Sequence, residues 1–439
     1  MSTPPATTAP ARHGGPRRRL AAITICAAAG LLATACSGAT GSTAGGGRSS
    51  HSGGAKPSKS AAPKLVTITP ADGSKQVKPG QGITVTADHG KLTNVTVRAA
   101  GDPVSGTMNA ARTTWHSKWT LAVSTSYTVS ASAAEPGGKP VTTTSSFSTL
   151  RPSSTAQVMI FEGYHQSYGV GMPIMLTFSH PVTNKAAVER SLQLTTSKPV
   201  VGAWSWDGDS TLNFRPREYW PAHTQVTFTG HLDGVEFAPG VYGNHTLTQS
   251  FSIGRSLIVV ASTASHHMNL YRNGKLYRHW PISTGRPGDN TPNGTYLTID
   301  KGNPVLMKGP GYKLEVPWSV RFTWSGDYLH DAYWSVGEQG FTNVSHGCVN
   351  MAPADAQAYY KMEFAGDPVT VTGSPRAGQW DNGWTEWFLT WQKYLHGSAL
   401  HEAVEAGPSG SKFVSPSALP AVTGRAPLSH PDPNNWSAA

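Results

Sequence analysis

Ser345-His346-Gly347-Cys348-Val349-Asn350, preceded by Tyr328-Leu329-His330-Asp331-Ala332, is the stretch from which the rest of the chain is read. Cys348 is one of three cysteines, and the other two, Cys26 and Cys36, lie in an N-terminal export segment. The folded part therefore holds one thiol with no disulfide partner, which makes it a small core residue, a metal ligand or a nucleophile. A free thiol has a pKa near 8.5 and becomes a useful nucleophile when an imidazole takes its proton. His330 ends an apolar strand that aims its side chain rigidly, so it is the better base. His346, two residues before the thiol, is read as a supporting group that braces the loop. Gly347 lets the backbone pass closely and leaves the amides of Gly347 and Cys348 to face a developing oxyanion. Zinc held by His330, His346 and Cys348 is the other chemistry open to these residues. No second CxxC and no HExxH-like spacing supports it, and neither metal nor cofactor is expected.

Around this pair the sequence from Ser256 reads as strands. Leu257-Ile258-Val259-Val260 leads to Met268-Asn269-Leu270-Tyr271, and Asn273-Gly274 then predicts a tight hairpin into Leu276-Tyr277-Arg278-His279-Trp280, because both turn residues need positive φ. Val316, Trp318, Val320, Phe322 and Trp324 alternate, which predicts one strand with a buried face running toward His330. Pro353 to Met362 predicts a short helix with proline in its first turn, followed by a strand at Val369-Thr370-Val371. Trp380, Trp384, Trp387 and Trp391 recur at helical spacing and predict a C-terminal helix packing its tryptophan face on the preceding domain.

Upstream, short alternating runs separated by Gly, Pro, Asp and Asn predict two tandem immunoglobulin-like β-sandwiches, over 64–150 and 151–254. Ile83 to Thr86, Val95 to Val97 and Tyr127 to Ser130 mark the first, and Ile174 to Phe178, Thr211 to Phe214 and Val226 to Phe228 the second. Trp115 and Trp119 have rough counterparts in Trp204 and Trp206, read as core. The fold class is mainly β: two sandwiches, a β-rich catalytic domain with a short helix over 255–373, and a Trp-rich extension over 374–402. Residues 403–439, rich in Pro, Ser, Gly and Ala, are expected to be a disordered tail.

Arg17-Arg18-Arg19 before the apolar run Leu20 to Ala35 reads as a secretory signal, too short for a comfortable membrane span. It ends Ala33-Thr34-Ala35-Cys36, which resembles a lipobox. Residues 1–36 would then be a lipoprotein signal, with Cys36 lipidated and anchored in the cytoplasmic membrane, and 37–63 a flexible tether. A plain cleaved signal is the alternative, since Ala33 stands where leucine is commoner. The export segment carries four arginines of the +10 net charge, leaving +6 beyond it. That balance suits an anionic wall surface, and no basic cluster interleaved with aromatics argues for nucleic acid.

His330, the gap of about fifteen residues and Ser345-His346-Gly347-Cys348-Val349-Asn350 together resemble the L,D-transpeptidases of the YkuD type. The resemblance covers Ser256 to about Gly373, including Ser283-Thr284-Gly285 and Thr291-Pro292-Asn293-Gly294-Thr295-Tyr296, and the domain order looks like the family's actinobacterial branch. It implies attack by Cys348 on the carbonyl between the third residue and D-Ala of a peptidoglycan tetrapeptide stem. The amine of a second stem then captures the acyl-enzyme, giving a 3→3 cross-link. His330 would be base, then acid, oriented by the backbone carbonyl of Asp331. Relatives of that branch tend to have serine at this position, and a carboxylate there would be expected to raise the imidazole's pKa. Met307, Tyr312, Ser325, Gly326, Trp334 and Asn350 match positions that line the family's cleft, and Met307 to Tyr312 is a short version of its lid. Carbapenems would acylate Cys348. Three rivals stand beside this reading. A Cys-His endopeptidase would place cysteine before histidine, the reverse of the order here. An L,D-carboxypeptidase would use the same site with water as acceptor. A non-catalytic wall-binding lipoprotein would not need the intact pair.

Overall fold

A computed structural model describes residues 65–309 and 312–419. The export segment, the lipidation site Cys36, the tether and the chain beyond 419 lie outside them. Among the described residues no helix is long and apolar enough to cross a membrane.

The first sandwich packs Val66–Thr69, Thr84–Ala87, Thr114–Ser117 and Gly106–Met108 against Asp102–Pro103, Lys91–Ala99, Ser126–Ala134 and Val141–Ser148. Alternation does the sorting. In Ser126–Ala134, Tyr127, Val129, Ala131 and Ala133 point inward and their neighbours outward, onto a core that includes Trp115 and Phe147. The second sandwich repeats the plan with Ile174–Phe178, Thr211–Pro216 and Val200–Asp207 facing Leu247–Ile253, Gln225–Gly230 and Leu192–Thr196. Trp204 is in its core, whereas Trp119 stacks on His231 between the sandwiches, ring centroids 3.7 Å apart. Trp206 donates from Nε1 to Glu189.

In the third domain Leu257–Ser262 sits at the centre of a sheet, between His267–Arg272 and Pro368–Thr372. Its near-continuous apolar sequence fits a strand covered on both faces. The hairpin forms as expected, with Asn273 at φ 50° and Gly274 at φ 76°, and the helix runs Pro353–Met362. A second sheet orders Lys301–Gly302, Ser319–Arg321, Tyr328–Asp331 and Val349–Met351.

Three expectations are corrected. The single strand over 316–324 is broken: Val316 closes the hairpin Val305–Gly309/Tyr312–Val316, Trp318 takes φ 48°, and only Ser319–Arg321 pairs with the histidine strand. Pro317 removes a ladder donor at the break. The tryptophan stripe is not one helix. Gly383 adopts φ 132°, where Cβ would lie 2.8 Å from the Phe322 carbonyl; a 3-10 turn follows at Glu386–Phe388 and a short helix at Trp391–His396, its Thr390 cap accepting from Lys393 N. Trp384 and Trp387 bury themselves in the core of the second sandwich. Arg215, buried there, lies 4.5 Å from the Trp387 ring and 4.4 Å from that of Tyr394 and donates to the Leu389 carbonyl.

The tail, expected to be disordered from 403, instead begins with a hairpin, Ala403–Gly407 and Gly410–Val414. It extends the sheet of the second sandwich, Val200 pairing with Ala406 and Gly202 with Val404. The local sequence is small and polar, but Ala403, Val404 and Ala406 are buried against a waiting edge, and that edge decides. Ending the chain at Glu402 should uncover Val200–Asp207 and cost roughly 3 kcal/mol of apolar burial. Calorimetry should show a lower melting temperature, and light scattering self-association; a monomer with unchanged melting would show the hairpin to be dispensable.

Candidate active site

Tyr328–Asp331 pairs in parallel with Val349–Met351, His330 opposite Asn350. Residues in register share a face and the face repeats every second residue, so Cys348, two before Asn350, projects from the same face as His330. The turn carrying Cys348 is tied down at several points. Ser345 Oγ donates to the Cys348 carbonyl at 2.6 Å, and the Gly347 amide donates to Ser345 Oγ at 3.1 Å. Thr291 Oγ1 donates to the Gly347 carbonyl at 2.6 Å. Gly347 itself sits at φ 130°, where a Cβ would fall 2.4 Å from Asp327 Oδ1, so only glycine fits.

His330 is 4% exposed. Its Nδ1 lies 2.8 Å from the Asp331 carbonyl, an atom that can only accept, so Nδ1 carries the proton and Nε2 is left as the basic nitrogen. The Trp334 ring stacks over the imidazole at 6.0 Å. Burial lowers the imidazole's pKa to about 4, against the opposing pull of the Asp331 carbonyl. Cys348 is partly buried, and desolvation raises its thiol pKa, with the Asp327 carboxylate adding to the rise and the Tyr328 amide working against it. Sγ points to the Gly326 carbonyl at 3.8 Å. Both directions favour thiol and neutral imidazole over thiolate and imidazolium in the resting pair. Such a pair can create its thiolate only as the proton moves to Nε2, when a reacting carbonyl is there to take up the charge.

Above the pair opens a cleft of about 350 Å³ lined by Met307, Tyr312, Trp334 and Asn350 together with His330, His346 and Cys348. The hairpin Val305–Gly309/Tyr312–Val316 forms its overhang. Asn350 is held by donation to Ser335 Oγ at 2.9 Å. Ser325 and Gly326 do not line this cleft, and Gly326 meets the thiol directly. Gly326 offers its carbonyl there, and Ser325 Oγ bonds Asp327 Oδ2 at 3.2 Å and receives Asn382 Nδ2 at 2.9 Å.

Three local expectations change. The Asp331 carboxyl does not act on the imidazole; it turns to the Tyr333 amide at 3.0 Å and caps the turn carrying Trp334. His346 does not brace its loop. It is exposed and leans on the Tyr312 ring at 5.2 Å, and Ser345 does the bracing. The Gly347 amide is engaged by Ser345 Oγ, which leaves the Cys348 amide without a partner among the described residues. The zinc alternative finds no converging set of ligands among the described residues. Sequence reasoning missed Asp327, Glu338 and Asn382. Asp327 stands next to a cleft-matching glycine, a signal that was available; Asn382 arrives from the extension with no local cue.

Residues 256–371 match the L,D-transpeptidase catalytic domain, YkuD, and residues 74–236 match a bacterial Ig domain, a span that crosses both sandwiches. The chain is similar to L,D-transpeptidase 5 of Mycobacterium tuberculosis, 34% identical over 352 residues that cover 77% of this chain and 78% of that protein. It is also similar to L,D-transpeptidase 2 of the same species, 30% identical over 344 residues covering 74% and 84%. The solved L,D-transpeptidase from Mycobacterium smegmatis aligns at 32% identity with a TM-score of 0.41, covering 50% of this chain and 99% of that one.

A resting thiol without preformed thiolate has a direct signature. Alkylation of Cys348 by iodoacetamide, followed by intact mass, should keep climbing past pH ~10. A plateau already reached between pH ~6 and ~8 would reveal a standing thiolate–imidazolium pair.

Proposed function

The chain belongs to the L,D-transpeptidases, and from that membership we propose that it forms 3→3 cross-links in peptidoglycan through an acyl-enzyme on Cys348. The observation that supports this most is the placement of His330 and Cys348, facing one way at the floor of a peptide-sized cleft.

A tetrapeptide stem enters under the Met307/Tyr312 overhang with its third residue's carbonyl over Sγ. His330 Nε2 takes the thiol proton as the C–S bond forms. The carbonyl oxygen becomes an oxyanion that the Cys348 amide faces, joined by the Gly347 amide if Ser345 Oγ releases it. The imidazolium, still aligned by the Asp331 carbonyl, gives its proton to the departing amine, and D-Ala leaves. The amine of a second stem then attacks the thioester, and the thiol is restored. No cofactor takes part. Met307, Tyr312, Trp334 and Asn350 bind stem peptide; Ser325 and Gly326 shape the thiol's surroundings, and His346 supports the overhang through Tyr312. We place this chemistry outside the cytoplasm, with Cys36 lipidated in the membrane and the tether and sandwiches holding the catalytic domain toward the wall.

Incubating the purified ectodomain with disaccharide-tetrapeptide should give a dimer lacking one D-Ala, absent with Cys348→Ala. D-Ala release without dimer would identify a carboxypeptidase, and no reaction would favour a wall-binding role. Carbapenems carry a strained lactam carbonyl that the same thiol should open, adding the intact drug mass to Cys348. No adduct after long exposure, with a relative labelled alongside, would refute the nucleophile. Asp331→Ala should stay within about tenfold of the parent, since it removes one cap hydrogen bond worth ~1 kcal/mol; a loss as deep as that of Cys348→Ala would give the carboxyl itself a role.

A further inference from the structure

Asp327 places a carboxylate beside the thiol, where it opposes the thiol's deprotonation. It is 6% exposed. Oδ2 accepts from Thr323 Oγ1 at 2.8 Å and from Ser325 Oγ at 3.2 Å. Oδ1 has no hydrogen-bond partner among the described residues, and no lysine, arginine or histidine pairs with the group there. That free oxygen is aimed at the Gly347 backbone, where it occupies the space a Cβ would need. Burial raises the Tyr312 phenol, and Cys348, Asp289 and Asp327 add to the rise, so Asp327 is within electrostatic reach of the cleft. A carboxylate with one oxygen left open suits a cation. Next to a nucleophilic thiol it slows the first half of the reaction, unless the second half uses it.

We propose that Asp327 Oδ1 binds the ammonium of the acceptor stem and brings its nitrogen onto the thioester of Cys348. The inference rests on the transpeptidase reading above. The acceptor amine has an ordinary pKa near that of lysine, about 10.4, and arrives as a cation. Asp327 follows Gly326, whose carbonyl meets Sγ and which does not line the donor cleft, so the acceptor approaches Sγ at that edge of the cleft. Once bound, the ammonium loses one proton to solvent and its nitrogen attacks the thioester carbonyl. The C–N bond forms as the C–S bond breaks, and the nitrogen's second surplus proton passes through His330 Nε2 to the departing Sγ. The carboxylate is unchanged at the end. Its presence biases the acyl-enzyme toward amines over water, because water gains nothing from it.

The test uses the purified ectodomain with disaccharide-tetrapeptide as donor and acceptor, and hydroxylamine as a competing nucleophile that is uncharged at neutral pH. Three products are counted by mass spectrometry: dimer, hydrolysed tripeptide and hydroxamate. Asp327→Asn should cut the dimer-to-tripeptide ratio about tenfold or more, the usual weight of a charge-assisted contact. The hydroxamate-to-tripeptide ratio should hold. Asp327→Glu keeps the charge and should retain more of the parent's dimer ratio than Asp327→Asn does. Equal losses for both acceptors, no loss for either, or the same loss in Asp327→Glu as in Asp327→Asn would overturn the assignment. Carbapenem uptake by each variant reports that it is folded. Should Asp327→Asn fail to take up drug, the parent enzyme still decides: added salt should depress dimer formation and spare hydroxamate, and equal effects would refute the idea. A parent that releases no D-Ala refutes the transpeptidase reading itself, an outcome seen before any variant is compared.

Discussion

The parallel pairing of Tyr328–Asp331 with Val349–Met351 is the constraint on which the rest of the site depends. Two strands of three or four residues carry the base and present the thiol, and a slip of one residue would turn Cys348 to the opposite face. The register is held from several directions. Leu329, Val349 and Met351 are buried in one core, the Asn350 amide donates to the Ser283 carbonyl, and the Ala332 amide donates to the Met351 carbonyl. Helix Pro353–Met362 packs on Tyr328–Asp331 and on its other neighbour, Ser319–Arg321. A parallel pair needs a crossover, and here the crossing segment from Tyr333 to Gly347 is itself put to use, supplying Trp334 to the imidazole and Ser345 to the cysteine turn.

Burial then sets the electrical state. Desolvation pushes the two partners apart in pKa, each toward its neutral form. The hydrogen bond to the Asp331 carbonyl fixes the tautomer without adding a charge. A serine-type triad would place an anion behind the imidazole and so favour the imidazolium. This arrangement leaves the charge to be created with the substrate in place. Oxidation follows thiolate character, so a thiol kept protonated at rest is also a poor target for oxidants.

Much of this was legible in the sequence, for identifiable reasons. Asn273-Gly274 and Pro353 carry their conformations in their own backbones, and both elements fall where they were expected. His330 and Cys348 could be paired because lone thiols and strand-end histidines are scarce. The misreadings have a common cause, which is a tertiary partner outweighing a local pattern. Trp384 and Trp387 follow a helical period, yet each is claimed by the second sandwich. Trp318 keeps its place in an alternation and still takes a left-handed φ beside Pro317. Residues 403–414 have the composition of a tail and become strands because an edge is waiting for them. The Gly347 amide looked free until Ser345, two residues away, was seen to occupy it.

That returning hairpin also changes how the domains are joined. The chain leaves one sheet of the second sandwich at Ile253, builds the catalytic domain, and re-enters the facing sheet at Ala403. In connectivity the catalytic domain is an insertion in the sandwich, fastened at two points. A single linker is a pivot about which a domain can swing; two attachments, one into each sheet of the sandwich, act as a bracket, and they restrict relative motion to a twist about the line between them. With Trp387 donating to the Gly171 carbonyl and the Gly169 amide donating to the Ala365 carbonyl, the mount is bolted across its width. Any pull along the chain from the N-terminal side is then shared between two seams, and the cleft keeps its bearing relative to the sandwich beneath it.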